Sequence, residues 1–126
     1  MKNNNLKLIE SAYYLSLLAL FILYLFPGSL IGYFLYGNSG QQPNLIKNPI
    51  GTSINHFFYF SYLTFLAAIC NSGKKFFFLN FFFIFSISIL LEVLHFVIPN
   101  RAFQYYDLLA NISGVMIVVI IKKIFT

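Results

Sequence analysis

The chain has 126 residues, of which 60% are hydrophobic and only 9% are charged, whereas an ordinary soluble domain is about one quarter charged. A core of this size cannot bury so many Phe, Leu and Ile side chains behind so few polar groups, which excludes a soluble globular protein. The net charge of +5 comes from basic residues scattered at segment ends, with no basic stripe for nucleic acid. We therefore predict an all-α membrane protein whose residues 1–126 form a single domain.

The first predicted transmembrane helix covers about residues 8–26. A spanning helix needs about 20 mostly apolar residues. This run ends at Pro27-Gly28, where proline cannot continue a helix and glycine suits its exit. Lys2 and Lys7 precede the run as in a signal peptide, but no small-x-small cleavage motif follows it. We expect the segment to be retained.

The next segment is apolar but short. Leu30–Tyr36 cannot cross a bilayer, so we predict that it lies at the interface or packs back against the bundle. Residues 37–55 are rich in Gly, Asn, Gln, Pro and Ser and carry one charge, Lys47. This composition predicts the one long loop of the protein.

Three further apolar runs predict spans at about residues 56–71, 76–98 and 105–121. The breaks between them, 71–75 and 99–101, are short, so neighbouring helices should be antiparallel. The lone cysteine excludes an intramolecular disulfide and a multi-cysteine metal site. The prediction is thus a bundle of four antiparallel transmembrane helices held together by helix packing.

Basic residues predict how this bundle is oriented, because short cytoplasmic loops carry most Lys and Arg. Lys47 and Arg101 fall on one side of the four-span arrangement, and six basic residues fall on the other. Those six are Lys2, Lys7, Lys74, Lys75, Lys122 and Lys123. We therefore expect both termini in the cytoplasm and a multi-pass protein of the cytoplasmic (inner) membrane.

Glu92 is the least expected residue of the third predicted span. Counted back from Pro99 it lies about 10 Å inside the hydrocarbon, at about 1.5 Å per residue. A charged side chain near the membrane centre costs at least about 2.5–3.5 kcal/mol, so Glu92 should face the bundle interior and have a partner. His95, three residues later, lies on the same helical face.

Other polar side chains should reach the same depth. Arg101 follows in the tight turn, and its long stem allows the guanidinium to fold back toward a carboxylate. Asp107, Asn111 and Gly114 share one face of the fourth span, and His56 opens the second span at the same level. The predicted binding site therefore comprises His56, Glu92, His95, Arg101, Asp107 and Asn111.

Within this site we expect Glu92, Arg101 and Asp107 to form one charge-paired unit, because an unpaired Glu92 would be protonated or draw in water. Structural roles are also open. Asp107 suits the positive end of its helix dipole. Asn111 can be an interhelical hydrogen-bonding residue and Gly114 a close-packing position. The imidazole at the start of the second span can simply lie at the headgroup level.

Several segments together resemble the VanZ-like membrane proteins. They are Leu90–His95, Pro99–Arg101 and Asp107–Gly114. The family pattern has a Glu two turns before one helix ends, an Arg in the turn, and Asp-Leu-Leu-Ala-Asn-x-x-Gly opening the next helix. Residues 25–29 resemble the family's first-helix exit, and residues 56–60 resemble its His-Phe-x-x-Tyr/Phe helix start.

The resemblance implies a membrane fold with a polar site, in a bacterial cell-envelope context and without a defined reaction. Some family members resemble proteins linked to teicoplanin-type glycopeptide resistance, so antibiotic resistance is an implied setting. The bias toward Asn, Lys, Ile and Phe is typical of an AT-rich genome. This chain departs from the pattern at Ile54-Asn55, where Asp-Lys is common, and at His95, where Gln is common.

The predicted function is non-enzymatic binding of a polar group, such as the headgroup of a membrane lipid or cell-envelope precursor. Arg101 would pair with its phosphate or carboxylate, while neighbouring residues position Arg101 or supply hydrogen bonds. One alternative is a structural subunit that packs against other membrane protein subunits. Another is an intramembrane enzyme on a lipid-linked substrate, with His56 or His95 as base and Glu92 as acid, although no nucleophile motif accompanies them.

A metal site is the remaining alternative. Glu92-x-x-His95 has the spacing used in di-iron bundles, but those sites need two such motifs and further Glu residues. We therefore expect no metal and no other cofactor.

Overall fold

The computed structural model describes residues 2–40, 53–70 and 77–125. Helices make up the secondary structure of these residues, and no strand occurs among them. The α-helices are α1 (Lys2–Leu25), α2 (Leu30–Tyr36), α3 (Ser53–Cys70), α4 (Phe81–Leu94) and α5 (Tyr105–Phe125), with a 3₁₀ turn at Phe77–Leu79. The predicted all-helical class is confirmed.

Three of the helices are long and apolar enough to cross a membrane. These segments are Asn3–Leu25, Ser53–Cys70 and Tyr105–Phe125, and within an 18-residue apolar stretch of each, 22%, 33% and 17% of the residues respectively are buried inside the protein. Most of their apolar surface therefore points outward, as expected for helices whose solvent is lipid. Their length and composition support a membrane protein.

The third predicted span is not one continuous helix over residues 76–98. A 3₁₀ turn precedes Asn80, whose side chain accepts a hydrogen bond from the Phe82 N–H at 3.0 Å and so begins α4. The helix ends at Leu94, after which the chain continues in tighter turns, with the Phe96 N–H bonded to the Val93 carbonyl at 3.1 Å and the Val97 N–H to the Leu94 carbonyl at 3.0 Å. With 14 residues, α4 is about 21 Å long, which is shorter than the hydrocarbon core of about 30 Å.

Other helix ends differ from the predicted spans by a few residues. Helix α1 begins at Lys2 rather than residue 8, α3 begins at Ser53 rather than residue 56, and α5 continues to Phe125. The apolar stretch after the first proline forms α2, in which only Gly32 is buried. The predicted turn at 71–75 and most of the predicted long loop lie outside the described residues.

The apolar core draws on all four longer helices. Its buried residues in these helices are Tyr13, Leu17, Leu20, Tyr24, Phe60, Leu63, Ala67, Cys70, Ile84, Ile87, Leu91 and Val115. The closest approach is at Gly114, where an added Cβ would lie 2.5 Å from the Phe57 carbonyl oxygen and 3.1 Å from the Phe60 Cβ. The backbone of α5 therefore packs directly on α3, which confirms Gly114 as a close-packing position.

Contacts between helix ends bring the polar residues together. Tyr24, near the end of α1, reaches His56 near the start of α3. Glu92, near the end of α4, reaches the Gln104 backbone just before α5. The C-terminal ends of α1 and α4 thus lie beside the N-terminal ends of α3 and α5.

Candidate functional site

A buried polar cluster occupies this meeting point of four helix ends. Glu92 and Asn111 are fully buried, His95 and Asp107 are almost so, and the His56 side chain is 11% exposed. The prediction that Glu92 faces the bundle interior is confirmed. The structure brings these five predicted residues into one layer.

Asn111, on α5, connects that helix to three others. Its Nδ2 donates to the Ser88 carbonyl at 3.0 Å, which turns Oδ1 toward Tyr24 and His56. The Tyr24 hydroxyl donates to Oδ1 at 2.8 Å, and His56 Nδ1 lies 3.2 Å from the same oxygen. These bonds engage both ends of the amide, so Asn111 acts as an interhelical hydrogen-bonding residue.

His56 makes contacts through both of its ring nitrogens. Nδ1 lies beside the Tyr24 hydroxyl and 3.2 Å from Asn111 Oδ1. When Nδ1 donates to Oδ1, Nε2 of the neutral ring presents a lone pair. Nε2 lies 3.8 Å from Asp107 Oδ2. The other oxygen of Asp107 accepts from the Ser53 hydroxyl at 2.5 Å. Ser53 and Asp107 each lie in the first turn of a helix, so α3 and α5 are tied together at their starts.

Glu92, near the end of α4, forms a second pair with His95, the residue directly after the helix. Glu92 Oε1 accepts from the Gln104 N–H at 3.1 Å and lies 3.3 Å from His95 Nδ1. His95 Nε2 lies 3.2 Å from the Tyr24 carbonyl oxygen, and its ring stacks on the Tyr24 ring at 5.2 Å. The predicted shared face of Glu92 and His95 is confirmed. Glu92 Oε2 is buried and has no hydrogen-bond partner among the described residues.

Arg101 contacts a different group from the one predicted. Its Nε donates to the Phe26 carbonyl at 3.0 Å, and Nη2 donates to the Leu23 carbonyl at 2.5 Å. The last carbonyls of a helix lack intrahelical partners and carry its negative dipole end, so a guanidinium is well placed there. Within the described part of the chain, no ion pair joins Arg101 to Glu92 or Asp107. The predicted direct pairing of these three residues is wrong.

Glu92 and Asp107 nevertheless interact electrostatically with the Arg101 guanidinium without contacting it. Burial lowers the pKa of Arg101, while the negative charges of Glu92 and Asp107 oppose this shift. Arginine nevertheless stays protonated at physiological pH in proteins. Arg101 therefore holds a positive charge at the edge of the cluster.

A cleft of about 110 Å³ opens beside the cluster. Its lining residues are Leu20, Leu23, Tyr24, Ser29, Leu30, Ile31, Asn55, His56, Tyr59 and Arg101. Two of the predicted site residues, His56 and Arg101, are thus on its wall. The other four lie behind it in the buried layer. The cleft is apolar along α1 and α2 and polar where α3 meets the turn before α5.

One group of side chains has the composition of a metal site. His56, Glu92 and Asp107 each offer one potential ligand atom, and these atoms lie within 4.8 Å of one another. His95, the metal-ligand candidate considered from its spacing, is not in this group.

Sequence reasoning missed Tyr24 and Ser53. A buried tyrosine usually needs a partner for its hydroxyl, and Tyr24 lies near the end of an apolar run, at the level of His56. That signal could have identified it. Ser53 falls within the predicted long loop, because nothing in the sequence of residues 37–55 indicates where α3 begins.

Comparisons of the chain with protein families, with curated proteins and with solved structures give no match. The VanZ-like resemblance therefore rests on the motif residues themselves. Three of them, Glu92, Asp107 and Asn111, are buried in the same cluster.

Proposed function

We propose that the chain is a VanZ-like multi-pass protein of the bacterial cytoplasmic membrane that binds the anionic headgroup of a lipid or lipid-linked envelope precursor. In this proposal α4 and its flanking turns form a fourth span, and both termini are cytoplasmic. The polar cluster then faces the outer leaflet. The distribution of basic residues supports this orientation.

The observation that supports the proposal best is that one side of the cleft is apolar and the other is polar. Leu20, Leu23, Leu30 and Ile31 supply an apolar wall, whereas His56 and Arg101 lie at the polar part. A lipid is divided in the same way, with an apolar acyl chain and a polar headgroup. The cleft thus supports a lipid ligand better than a soluble metabolite.

Arg101 is the residue proposed to contact the headgroup. A guanidinium has five N–H donors, and the bonds to the Leu23 and Phe26 carbonyls use only part of them. The remaining donors suit a phosphate oxygen, and such charge-assisted hydrogen bonds are about twice as strong as neutral ones. An anionic headgroup is therefore favoured over a zwitterionic one.

Native mass spectrometry of the purified protein tests this proposal. The protein is equilibrated with equal amounts of phosphatidylglycerol and phosphatidylcholine that have the same acyl chains. We expect preferential retention of phosphatidylglycerol, loss of the preference in Arg101→Gln, and no change in Lys123→Gln. The control removes the same charge from the last turn of α5, away from the cleft. Equal retention of both lipids by the native protein would contradict the proposal.

A further inference from the structure

Three potential metal-ligand atoms, one each from His56, Glu92 and Asp107, converge in the cluster. His56 Nε2 and Asp107 Oδ2 lie 3.8 Å apart, and the ligand atoms of His56, Asp107 and Glu92 are all within 4.8 Å of one another. In the tautomer whose Nδ1 donates to Asn111, Nε2 presents a lone pair. Ionised carboxylates present only lone pairs as well. A cation at the centre would therefore satisfy all three side chains.

Each of the three side chains is oriented by a hydrogen bond at its opposite atom. These bonds join His56 Nδ1 to Asn111 at 3.2 Å, Asp107 Oδ1 to Ser53 at 2.5 Å, and Glu92 Oε1 to the Gln104 N–H at 3.1 Å. Metal ligands in proteins are typically held by a second layer of this kind. The atoms left over are Nε2, Oδ2 and Oε2.

Glu92 Oε2 points independently to a missing partner. Glu92 is fully buried, and this oxygen has no hydrogen-bond partner within the described residues. Leaving a buried carboxylate oxygen unpaired is costly. Arg101, the nearby permanent cation, instead donates to the Leu23 carbonyl of α1 and to the Phe26 carbonyl just after it. The described side chains therefore leave this oxygen for a ligand.

We propose that His56, Glu92 and Asp107 bind a Zn²⁺ ion. One imidazole nitrogen with two carboxylate oxygens favours Zn²⁺ over Mg²⁺ and Ca²⁺, which prefer oxygen ligands alone. Tetrahedral ligands at about 2.0–2.2 Å from zinc lie about 3.4 Å apart. The 3.8 Å separation of Nε2 and Oδ2 therefore needs little adjustment, whereas the full set of ligand atoms, which spans up to 4.8 Å, must draw closer together around the ion.

Three protein ligands leave the fourth zinc position open. Because His56 also lines the cleft, that position is accessible to water or to an anionic oxygen entering from it. The inference goes beyond lipid binding, since the ion is held by the protein's own side chains whether or not a lipid is present.

The test measures zinc on the whole purified chain in detergent, after chelation and without added lipid. Equilibrium dialysis against ZnCl₂ with elemental analysis should give one Zn²⁺ per chain. Asp107→Asn and Glu92→Gln, which keep side-chain size, should each weaken binding at least about 10-fold. Ser53→Ala should weaken it by about 10-fold through loss of orientation. Glu10→Gln removes the third acidic residue, in the N-terminal half of α1, and should leave the affinity unchanged.

X-ray absorption on the native protein keeps the inference testable even if a variant does not fold. Nitrogen and oxygen ligands at about 2.0–2.2 Å with imidazole scattering are expected, whereas a sulfur ligand at about 2.3 Å would assign the zinc to the cysteine. A native chain that binds no Zn²⁺, or folded Asp107→Asn and Glu92→Gln variants with native affinity, would overturn the proposal. Failure of the lipid preference would leave these results unaffected.

Discussion

The guanidinium of Arg101 donates to the Leu23 carbonyl at 2.5 Å, so the turn between α4 and α5 is tied to the end of α1. A second bond, from Nε to the Phe26 carbonyl, strengthens this connection. Arg101 therefore joins distant parts of the chain through main-chain groups. The charged side chain also lines the cleft.

Arg101→Ala should destabilise the protein by about 1.5–3 kcal/mol, because hydrogen bonds from a charged donor are lost and two carbonyls lose their partners. Arg101→Lys should recover only part of this, since an ammonium cannot reproduce the planar fork. Thermal unfolding in detergent measures both, with Lys123→Ala as the charge-matched control. Equal stability of Arg101→Ala and Lys123→Ala would show that the carbonyl contacts contribute nothing.

Gly114→Ala should reduce stability by about 1–3 kcal/mol, the usual range for overpacking. The added Cβ would lie 2.5 Å from the Phe57 carbonyl oxygen, so α3 and α5 must separate. Size-exclusion chromatography after stepwise heating measures the fraction that stays folded. The control is Phe82→Leu, at a side chain that is 72% exposed. If the control loses more folded protein than Gly114→Ala, the packed face of the bundle has been misassigned.

Tyr24 and Asn111 should be energetically coupled, because the Tyr24 hydroxyl donates to Asn111 Oδ1 at 2.8 Å. In a double-mutant cycle, Tyr24→Phe and Asn111→Ala should differ from additivity by about 0.5–3 kcal/mol. Tyr13 provides the comparison, because its hydroxyl donates to the Phe78 carbonyl instead. Tyr13→Phe combined with Asn111→Ala should be additive. Additivity in both cycles would mean that the cluster hydrogen bonds act separately.

The proposed crossing of α4 can be tested with cysteines on either side of it, in a Cys70→Ala background. Ala102, an exposed residue after α4, and Ser72, before it, are each changed to Cys. A membrane-impermeant thiol reagent added to intact cells should label Ala102→Cys and spare Ser72→Cys. Labelling of both, or of neither, would mean that α4 does not cross the membrane.

Much of the helical framework was determined by the sequence alone. Apolar runs with Pro and Gly breaks predicted helices at α1, α3, α4 and α5, because hydrophobicity and backbone restrictions act locally. The inward orientation of Glu92 followed from the cost of burying a charge in lipid. Its shared face with His95 followed from helical spacing. These inferences need only the chain's own periodicity.

The choice of partners was decided only by the tertiary structure. Arg101 has a long, flexible side chain, and sequence spacing could not show that the carbonyls ending α1 lie nearer to it than Glu92 or Asp107. The convergence of His56, Glu92 and Asp107 likewise depends on the rotation and depth of three separate helices. Such contacts join residues far apart in the chain, and their geometry is set by packing, as at Gly114, rather than by local pattern.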